Sequence, residues 1–293
     1  MVTLREKVEI RDLLKAYCER YESQNRAAAS LKGISAGTVS QILNDKWELI
    51  SDEMWNGLQA QLTTGSSAAK GGWQVVETSV FNDVYFALKN AQSESAVTWV
   101  VSAAGSGKTE TAQLYLRENR NVYYLLCDND MRKYDFVREL ARAIGIKVRE
   151  GERIRTLMME KIIPRLSEKN CPLLIFDEGD KLSDNILYYF ITIYNKLKEK
   201  TGIVFLSTSY IKRRMATGIN YDKMGYQEIS SRIGQKFFDT ATNNANDVFA
   251  ICKANGVVDE HTIDRIIKDA EQYKFDLRRV YKRVKAELAK KGN

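Results

Sequence analysis

The sequence predicts an α/β fold with a parallel sheet, preceded by a small all-α domain. Short, continuous apolar runs alternate with helical patterns from about residue 97 onward, which is typical of buried parallel strands joined by helices. A glycine-rich turn follows the first of these runs. A small, polar, glycine-rich stretch at 63–73 has the composition of a linker and separates this region from helical patterns upstream.

Four short helices are predicted before the linker. Apolar residues recur at helical spacing in the first, and Ser23, Ser35 and Ser51 are suitable N-caps for the other three. Gly33 ends the second helix. The predicted helices are 8–22, 23–31, 36–44 and a fourth that opens at Ser51.

The segment 23–45 resembles the helix-turn-helix of phage-repressor-like proteins. Gly33 makes the turn, Ile34 and Val39 fill the core, and polar residues of the second helix face outward, where they could enter a major groove. Residues 1–62 carry eight Lys/Arg and nine Asp/Glu, a balance of −1. An ordinary four-helix bundle without DNA contact is therefore the alternative.

Downstream, four buried strands alternate with helices, and the chain after about residue 248 is helical throughout. The predicted strands are 97–102, 122–127, 172–176 and 202–207, and the two helices predicted between the first three strands are 108–118 and 133–144.

Residues 102–109, Ser-Ala-Ala-Gly-Ser-Gly-Lys-Thr, form a P-loop with one departure, because Ser102 replaces the first glycine. Glycines let backbone N–H groups turn toward phosphate oxygens, the following helix adds its positive dipole end, and Lys108 reaches the β and γ phosphates. ATP and Mg²⁺ are the expected cofactors, with Thr109 as a metal ligand. The predicted nucleotide-binding residues of this segment are Ala104, Gly105, Ser106, Gly107, Lys108, Thr109 and Glu110.

Two carboxylates, Asp177 and Glu178, directly follow an apolar strand. Ligands of parallel sheets bind beyond the carboxyl ends of the strands. We expect Asp177 to hold Mg²⁺ and Glu178 to orient or deprotonate the attacking water. A strand-end turn without function is the alternative, which the P-loop upstream argues against.

With these motifs the chain resembles the AAA+ ATPases over residues 75–290. This resemblance implies a nucleotide-binding core at 74–245 and a C-terminal helical lid at 246–293, which follow the predicted helix-turn-helix domain at 1–62 and the linker at 63–73. It also implies a polar sensor 1 residue at the end of the fourth strand, either Thr208 or Ser209, although the family's usual Asn is absent.

Two arginines match further motifs of that family. Arg232, in Ser-Ser-Arg-Ile, resembles an arginine finger that acts on a neighbouring subunit's ATP, and Arg278 resembles the sensor 2 arginine that faces nucleotide. The alternatives are a salt bridge within the domain for Arg232 and a place on the basic surface for Arg278.

Charge and composition restrict the partners. The net charge is +7, and residues 261–293 carry ten basic against five acidic residues, so a polyanion is an expected partner, while a solvated terminal helix is the alternative. The predicted DNA contacts are Lys212, Arg213, Arg214, Arg279, Lys282 and Lys285. Four scattered cysteines and one histidine favour buried thiols over a disulfide framework or zinc site, and we expect no membrane segment.

Length and domain order together resemble the target-selection protein B family of Mu-type transposing phages. That resemblance implies ATP-dependent, largely sequence-independent binding of duplex DNA as a helical filament, delivery of the DNA to a transposase, and a place in the bacterial cytoplasm. Three other functions stay open: a helicase loader that binds single strands, a nucleotide-regulated transcription factor with a defined operator, and an ATP-dependent switch without a nucleic acid partner.

Overall fold

The structure, a computed structural model, describes residues 4–18, 23–31, 33–47, 50–63 and 73–291. The chain divides into two units, Met1–Val75 and Val76–Asn293. Only the two end residues of the predicted linker 63–73 are described, and residues 19–22 of the first predicted helix also lie outside the described ranges.

The first unit contains four helices, α1 (Leu4–Cys18), α2 (Gln24–Ser30), α3 (Ala36–Leu43) and α4 (Asp52–Thr63). Ser23 and Ser35 cap α2 and α3, because their hydroxyls accept the backbone N–H groups of Arg26 and Thr38. Gly33, with φ +73°, makes the turn between these helices in a backbone region that favours glycine.

The core of this unit forms from side chains at helical spacing. Ile10 and Leu14 of α1, Val39 of α3, and Trp55 and Leu58 of α4 are completely buried. The pair α2 and α3 is thus packed against the two flanking helices, and polar Ser35 and Gln41 lie on its exposed side.

The second unit contains a five-stranded sheet in which every pairing is parallel. Its strands are β1 (Val97–Val101), β2 (Val122–Leu126), β3 (Leu173–Asp177), β4 (Gly202–Ser207) and β5 (Phe238–Asp239), in the spatial order β2-β3-β4-β1-β5. The four predicted strands are present, and the fold class predicted from the sequence is confirmed. The short β5 was not predicted.

Successive side chains of a strand point to opposite faces of the sheet, and both faces are buried in a hydrophobic cluster. On one face Trp99, Phe176 and Phe205 stack, with Trp99 and Phe205 ring centroids 4.3 Å apart. On the other face Val100 and Val204 pack with the first helix of the unit. This explains why each strand is a continuous apolar run.

Eleven helices are described in the second unit. They are α5 (Ser79–Glu94), α6 (Lys108–Glu118), α7 (Lys133–Ala143), α8 (Ile154–Thr156), α9 (Ile163–Ser167), α10 (Asp184–Leu197), α11 (Tyr210–Asn220), α12 (Tyr226–Arg232), α13 (Ala245–Ala254), α14 (Glu260–Gln272) and α15 (Leu277–Lys291). A π-helical segment, Leu157–Ile162, joins α8 to α9. None of the helices in the described ranges is long and apolar enough to cross a membrane.

The sheet fixes where the candidate site lies. In the parallel register Asp177 pairs with Leu126 and Leu206, and Val101 pairs with Ser207, so β1, β3 and β4 end at one edge. The segments that follow these three strands carry the P-loop, Glu178 and Thr208. Their convergence is a consequence of parallel topology.

Candidate nucleotide site

The predicted P-loop connects β1 to α6 and depends on glycine at two positions. Gly105 and Gly107 have φ values of +71° and +104°, and Gly107 directly precedes the first helical residue, Lys108. The unpaired N–H groups of the first helical turn therefore lie at this loop, together with the positive end of the helix dipole. Such an arrangement is suited to an anion. Ala104 and Glu110 are exposed beside it.

The Lys108 ammonium lies inside the loop. Its Nζ donates to the carbonyl oxygens of Ala103 at 2.7 Å and Ser102 at 3.2 Å. Burial lowers the pKa of Lys108 below its ordinary value, an effect that Asp177 and Asp180 partly oppose. The ammonium is thus held by neutral carbonyl oxygens. A phosphate would bind it more strongly than these carbonyls do, because charge-assisted hydrogen bonds are stronger.

Asp177 is buried and held by three donors. Its Oδ2 accepts the Thr109 hydroxyl at 2.7 Å and the Tyr124 hydroxyl at 2.8 Å, and its Oδ1 accepts the Glu178 backbone N–H at 2.9 Å. Burial, followed by the charge of Asp177, raises the pKa of Tyr124, so the phenol stays a donor. The sequence analysis missed Tyr124, because its contribution depends on the register between β2 and β3.

The donor set fits Mg²⁺, which proteins commonly bind through one or two carboxylates together with substrate phosphates. Asp177 and Thr109 supply a carboxylate and a hydroxyl oxygen in contact with each other. The described residues contain no group of three or more His, Cys, Asp or Glu side chains that could hold a metal without such phosphates.

Glu178 begins a tight turn at the end of β3. Its φ of +55° lies in the left-handed region, and Gly179–Lys181 form a single 3-10 turn after it. The Glu178 carboxylate pairs with Lys181 and raises the pKa of that ammonium. Glu178 thus lies at the carboxyl end of the sheet, as predicted, but its carboxylate pairs with Lys181 of the same turn.

Of the two sensor 1 candidates, Thr208 makes the described contact with this turn. Its hydroxyl donates to the Asp180 carboxylate at 2.7 Å. Ser209 precedes α11 without a side-chain capping bond. Ser207, which the sequence analysis did not choose, is buried and accepts the Trp99 indole N–H at 2.8 Å.

Two residues of the segment that follows β5 contact the P-loop. The Ser102 hydroxyl donates to Ser106 at 3.0 Å and accepts from Thr240 at 2.7 Å, and Asn243 donates to the Ser106 carbonyl at 3.1 Å. Ser102, the departure from the P-loop pattern, therefore connects the loop to β5. Thr240 and Asn243 carry no motif and were not predicted.

The start of α15 also contacts the P-loop. The Leu277 N–H donates to the Gly105 carbonyl at 2.8 Å, and any side chain at position 105 would overlap the Asp276 carboxylate. Arg278, the next residue, is exposed, and its charge contributes to lowering the pKa of Lys108. Arg278 thus lies beside the P-loop.

Arg232, the last residue of α12, contacts α10 and its own helix. Its guanidinium donates to Asn195 at 3.0 Å and to the Glu228 carbonyl at 2.9 Å, and lies 5.3 Å from the Tyr194 ring centroid. These acceptors are uncharged. No carboxylate of the described residues forms an ion pair with Arg232, so the predicted salt-bridge alternative is not seen there.

The six predicted DNA contacts differ in their partners. Arg214 and Arg279 are bonded inward, Arg214 to Asp184 and Arg279 to both oxygens of Asp269. Lys212 pairs with Asp239 while remaining partly exposed. The other three, Arg213, Lys282 and Lys285, reach solvent without a carboxylate partner among the described residues.

Comparison with known families agrees with this geometry. Residues 91–215 match the family model described as an AAA domain, a range that includes the P-loop, Asp177, Glu178 and Thr208. The match agrees with the predicted P-loop ATPase core and with ATP as its nucleotide.

Two phage proteins resemble the chain over most of its length, both with the name ATP-dependent target DNA activator B. The protein of Escherichia phage D108 is 25% identical over 267 residues, and that of Escherichia phage Mu is 25% identical over 269 residues. Each alignment covers 90% of this chain and 83% of the phage protein. The predicted resemblance to the Mu-type phage family is confirmed.

Among solved structures, Cdc6p from Pyrobaculum aerophilum is similar with a TM-score of 0.43 and 16% sequence identity. That match covers 64% of this chain and 52% of the other chain.

Proposed function

We propose that this chain is an ATPase that binds duplex DNA when it holds ATP, assembles on it as a head-to-tail filament, and delivers that DNA to a transposase. The observation that carries the proposal is the convergence of Lys108, Thr109 and Asp177 at the carboxyl end of a parallel sheet. Two relatives that match 90% of the chain have names that join ATP dependence to activation of target DNA.

The residues of the site divide the work of hydrolysis. The P-loop N–H groups and Lys108 bind the phosphates, and Thr109 and Asp177 hold Mg²⁺, which when bound neutralises charge that develops on the phosphates. Glu178 leaves Lys181 and takes a proton from, or orients, the attacking water. Thr208 is the stronger sensor 1 candidate because its hydroxyl already contacts the turn that carries Glu178.

Duplex DNA is bound through phosphates by the outward cations of α11 and α15. Lys212 and Arg213 lie on adjacent positions of α11, and Lys282 and Lys285 lie one turn apart on α15. Contacts of this kind fix position on the duplex without reading bases. Arg214 and Arg279 are removed from this set, because each guanidinium is held by at least two hydrogen bonds, one or more of them to a carboxylate. Lys212 is kept, because its single ion pair with Asp239 is exposed to solvent.

Assembly is proposed to use Arg232. A cation whose acceptors among the described residues are all uncharged is suited to an anion supplied by another subunit, and Arg232 meets that description. A contact between one subunit's Arg232 and the next subunit's ATP joins two different surfaces. Such heterologous contacts give helical filaments when they do not close into a ring.

A transcription factor that uses α2 and α3 on a defined operator is the second candidate. The polar, exposed side of this pair and its Ser35 cap favour it. On linear duplex DNA the two functions predict different patterns, continuous coverage for the filament and a single protected site for the transcription factor.

The deciding experiment is electron microscopy of the chain on linear duplex DNA, with and without ATP, together with footprinting. Wild-type protein with ATP should cover the duplex continuously, whereas Lys108→Ala should not, because it lacks the main point charge on the phosphates. Lys147→Ala, which removes one exposed charge away from the P-loop, is the control and should behave as wild type. Coverage that is independent of ATP, or one protected site, would contradict the proposal.

A further inference from the structure

The guanidinium of Arg214 makes a three-way contact inside the ATPase unit. Its Nη1 donates to the Asp180 carbonyl at 3.0 Å, its Nη2 to Asp184 Oδ1 at 2.6 Å, and its Nε to the Tyr226 hydroxyl at 3.0 Å. Only 15% of the side chain is exposed. Three donors of one planar group are therefore used at once, in fixed directions.

These contacts hold the middle and the C-terminal end of a short segment, residues 178–184, named here the 178–184 turn. It begins with Glu178 in the left-handed backbone region and ends with Asp184, the first residue of α10. In its middle, the Asp180 carbonyl accepts Arg214 while the Asp180 carboxylate accepts Thr208. The turn that presents Glu178 is thus attached to the end of β4 and to α11, the next helix along the chain.

Tyr226 closes this network from α12. Its hydroxyl donates to Asp184 Oδ1 at 2.7 Å and accepts from Arg214, and the absence of a side chain at Gly218 makes room for its ring. Burial alone would raise the pKa of Asp184, but the hydrogen bonds from Tyr226 and Arg214 outweigh it and lower that pKa. Asp184 and Arg214 are therefore both charged at neutral pH.

Lysine could not reproduce this arrangement. Its ammonium is a single point charge, whereas the guanidinium offers donors in a rigid fork. Lysine at position 214 could keep the ion pair with Asp184 but not the bonds to the Asp180 carbonyl and Tyr226 as well. The chain places two further basic residues beside it, Lys212 and Arg213, but neither contacts the 178–184 turn through a described hydrogen bond or ion pair.

We propose that Arg214 is a positioning residue for ATP hydrolysis, which fixes the 178–184 turn and thereby the distance of Glu178 from the nucleotide. The proposal rests on the ATPase function proposed above. It assigns Arg214 a role different from the DNA contact that its place in a basic cluster predicts. Because Arg214 acts through the turn and has no described hydrogen bond to the P-loop, nucleotide binding itself should not depend on it.

The test compares Arg214→Lys with Arg142→Lys, a matched change at a more exposed arginine that forms an ion pair with Glu139 on α7. For each full-length variant, kcat and KM for ATP, the dissociation constant of a fluorescent ATP analogue, the melting temperature, and hydrogen exchange of residues 178–184 are measured. Arg214→Lys should lower kcat at least about 10-fold, since small misplacements of catalytic groups are costly. Its nucleotide affinity should stay within about 2-fold of wild type, since the described partners of Arg214 lie outside the P-loop.

Hydrogen exchange distinguishes a positioning residue from a general structural residue. Loss of a positioning residue should accelerate exchange in the 178–184 turn alone, whereas loss of a structural residue should accelerate it throughout the unit. Exchange of the 178–184 turn should accelerate in Arg214→Lys while exchange of the P-loop is unchanged. Tyr226→Phe should shift kcat and exchange in the same direction by a smaller amount, because it removes one member of the network. Arg142→Lys should match wild type in all measurements.

Two results would overturn the proposal. One is wild-type kcat and wild-type exchange in Arg214→Lys. The other is a parallel loss of nucleotide affinity, kcat and melting temperature, which would make Arg214 a general structural residue. A failure of the ATPase proposal can be told apart from these results, because it would appear as unimpaired hydrolysis by Glu178→Gln. Hydrogen exchange of the 178–184 turn tests Arg214 independently, because it requires no ATP hydrolysis.

Discussion

The carboxyl end of the sheet and the basic helices α11 and α15 differ in what determines the partners of their charged groups. At the sheet edge, topology brings Lys108, Thr109 and Asp177 together from segments about 70 residues apart. On the helices, the partner of each cation depends on which side chains pack next to it. Arg214 and Arg279 bond inward, while their neighbours Arg213 and Lys282 face solvent.

The difference shows what a count of charges can and cannot predict. A motif at a strand end names residues that will be neighbours, because parallel strands end together. A basic cluster names only residues of like charge, since helical periodicity turns successive side chains in different directions. Arg214 of α11 and Arg279 of α15 are thus held by carboxylates of their own unit, while Arg213 and Lys282 remain available to a polyanion.

The largest effect is expected for Arg232, which belongs to neither region. Arg232→Ala should lower ATP hydrolysis by about 10³-fold, as trans-acting arginines do in other phosphoryl-transfer enzymes, while ATP binding persists. Mixing these subunits with Lys108→Ala subunits, which supply an intact Arg232 but cannot bind nucleotide, should restore hydrolysis in a steady-state assay. Absence of rescue, with a lower melting temperature for Arg232→Ala alone, would assign the residue to contacts within its own chain.

Glu178 tests the sheet edge itself. Glu178→Gln should lower kcat by about 10²-fold or more, the contribution typical of a general base, and leave ATP binding intact because the amide keeps the shape of the side chain. Filaments on DNA should then dissociate more slowly. Glu168→Gln, at an exposed position, is the control. Hydrolysis at the wild-type rate by Glu178→Gln would remove Glu178 from its proposed role.

The sequence predicts the part of the site whose residues lie next to strand ends. The four buried strands, the P-loop and the Asp177–Glu178 pair follow from apolar runs and glycine spacing, and the structure has all four strands. Tyr124 could not be identified, because its contact with Asp177 requires the β2–β3 register. β5 has only two residues, too few for a periodic signal, and its neighbours Thr240 and Asn243 were missed with it.

The sequence also could not predict which carboxylates the arginine side chains pair with. The predicted cluster at 212–214 has three cations in a row, and nothing in that run indicates that Arg214 would find Asp184 30 residues upstream. Likewise, Asp269 and Arg279 lie on separate helices, α14 and α15. Both pairings depend on how helices pack, which charge patterning does not encode.

The DNA-binding prediction sharpens the comparison within α11. Replacing Lys212 and Arg213 together by Ala should lower the slope of log affinity against log salt by roughly 1.8, that is about 0.9 for each phosphate contact on duplex DNA. ATP binding should survive, because neither side chain contacts the P-loop. The measurement is DNA affinity across a salt series in the presence of ATP.

Two companions make this result interpretable. Lys196→Ala with Lys200→Ala removes the same charge at exposed positions outside both clusters and should leave the slope unchanged. Lys282→Ala with Lys285→Ala tests α15 in the same way. If both basic pairs prove silent while deletion of residues 1–62 abolishes binding, the DNA-binding element is the N-terminal unit and the transcription-factor function gains.

The smallest effect is expected at Asp269, which joins α14 to α15. Its carboxylate accepts Arg279 at 2.6 and 2.7 Å and Arg283 at 2.7 Å, and these hydrogen bonds, Arg279 first, hold the pKa of Asp269 well below its usual value. Asp269→Asn should lower the melting temperature at pH 7 by only about 1–3 °C, because ion pairs near the surface contribute little. The same change frees two arginines beside Lys282, so DNA affinity should rise slightly.

The pH dependence gives this prediction its sign. A carboxyl group with a lowered pKa in the folded chain stabilises it fully above the unfolded value of about 3.9, and the contribution disappears as pH falls through the folded value. The difference in melting temperature between wild type and Asp269→Asn should therefore be constant from about pH 7 to pH 5 and shrink in more acidic buffer. A difference that instead grows on acidification would mean that Asp269 is not held by Arg279 and Arg283. Those two arginines would then belong with the outward cations of α15, and the contrast between the inward and outward residues of that helix would no longer hold.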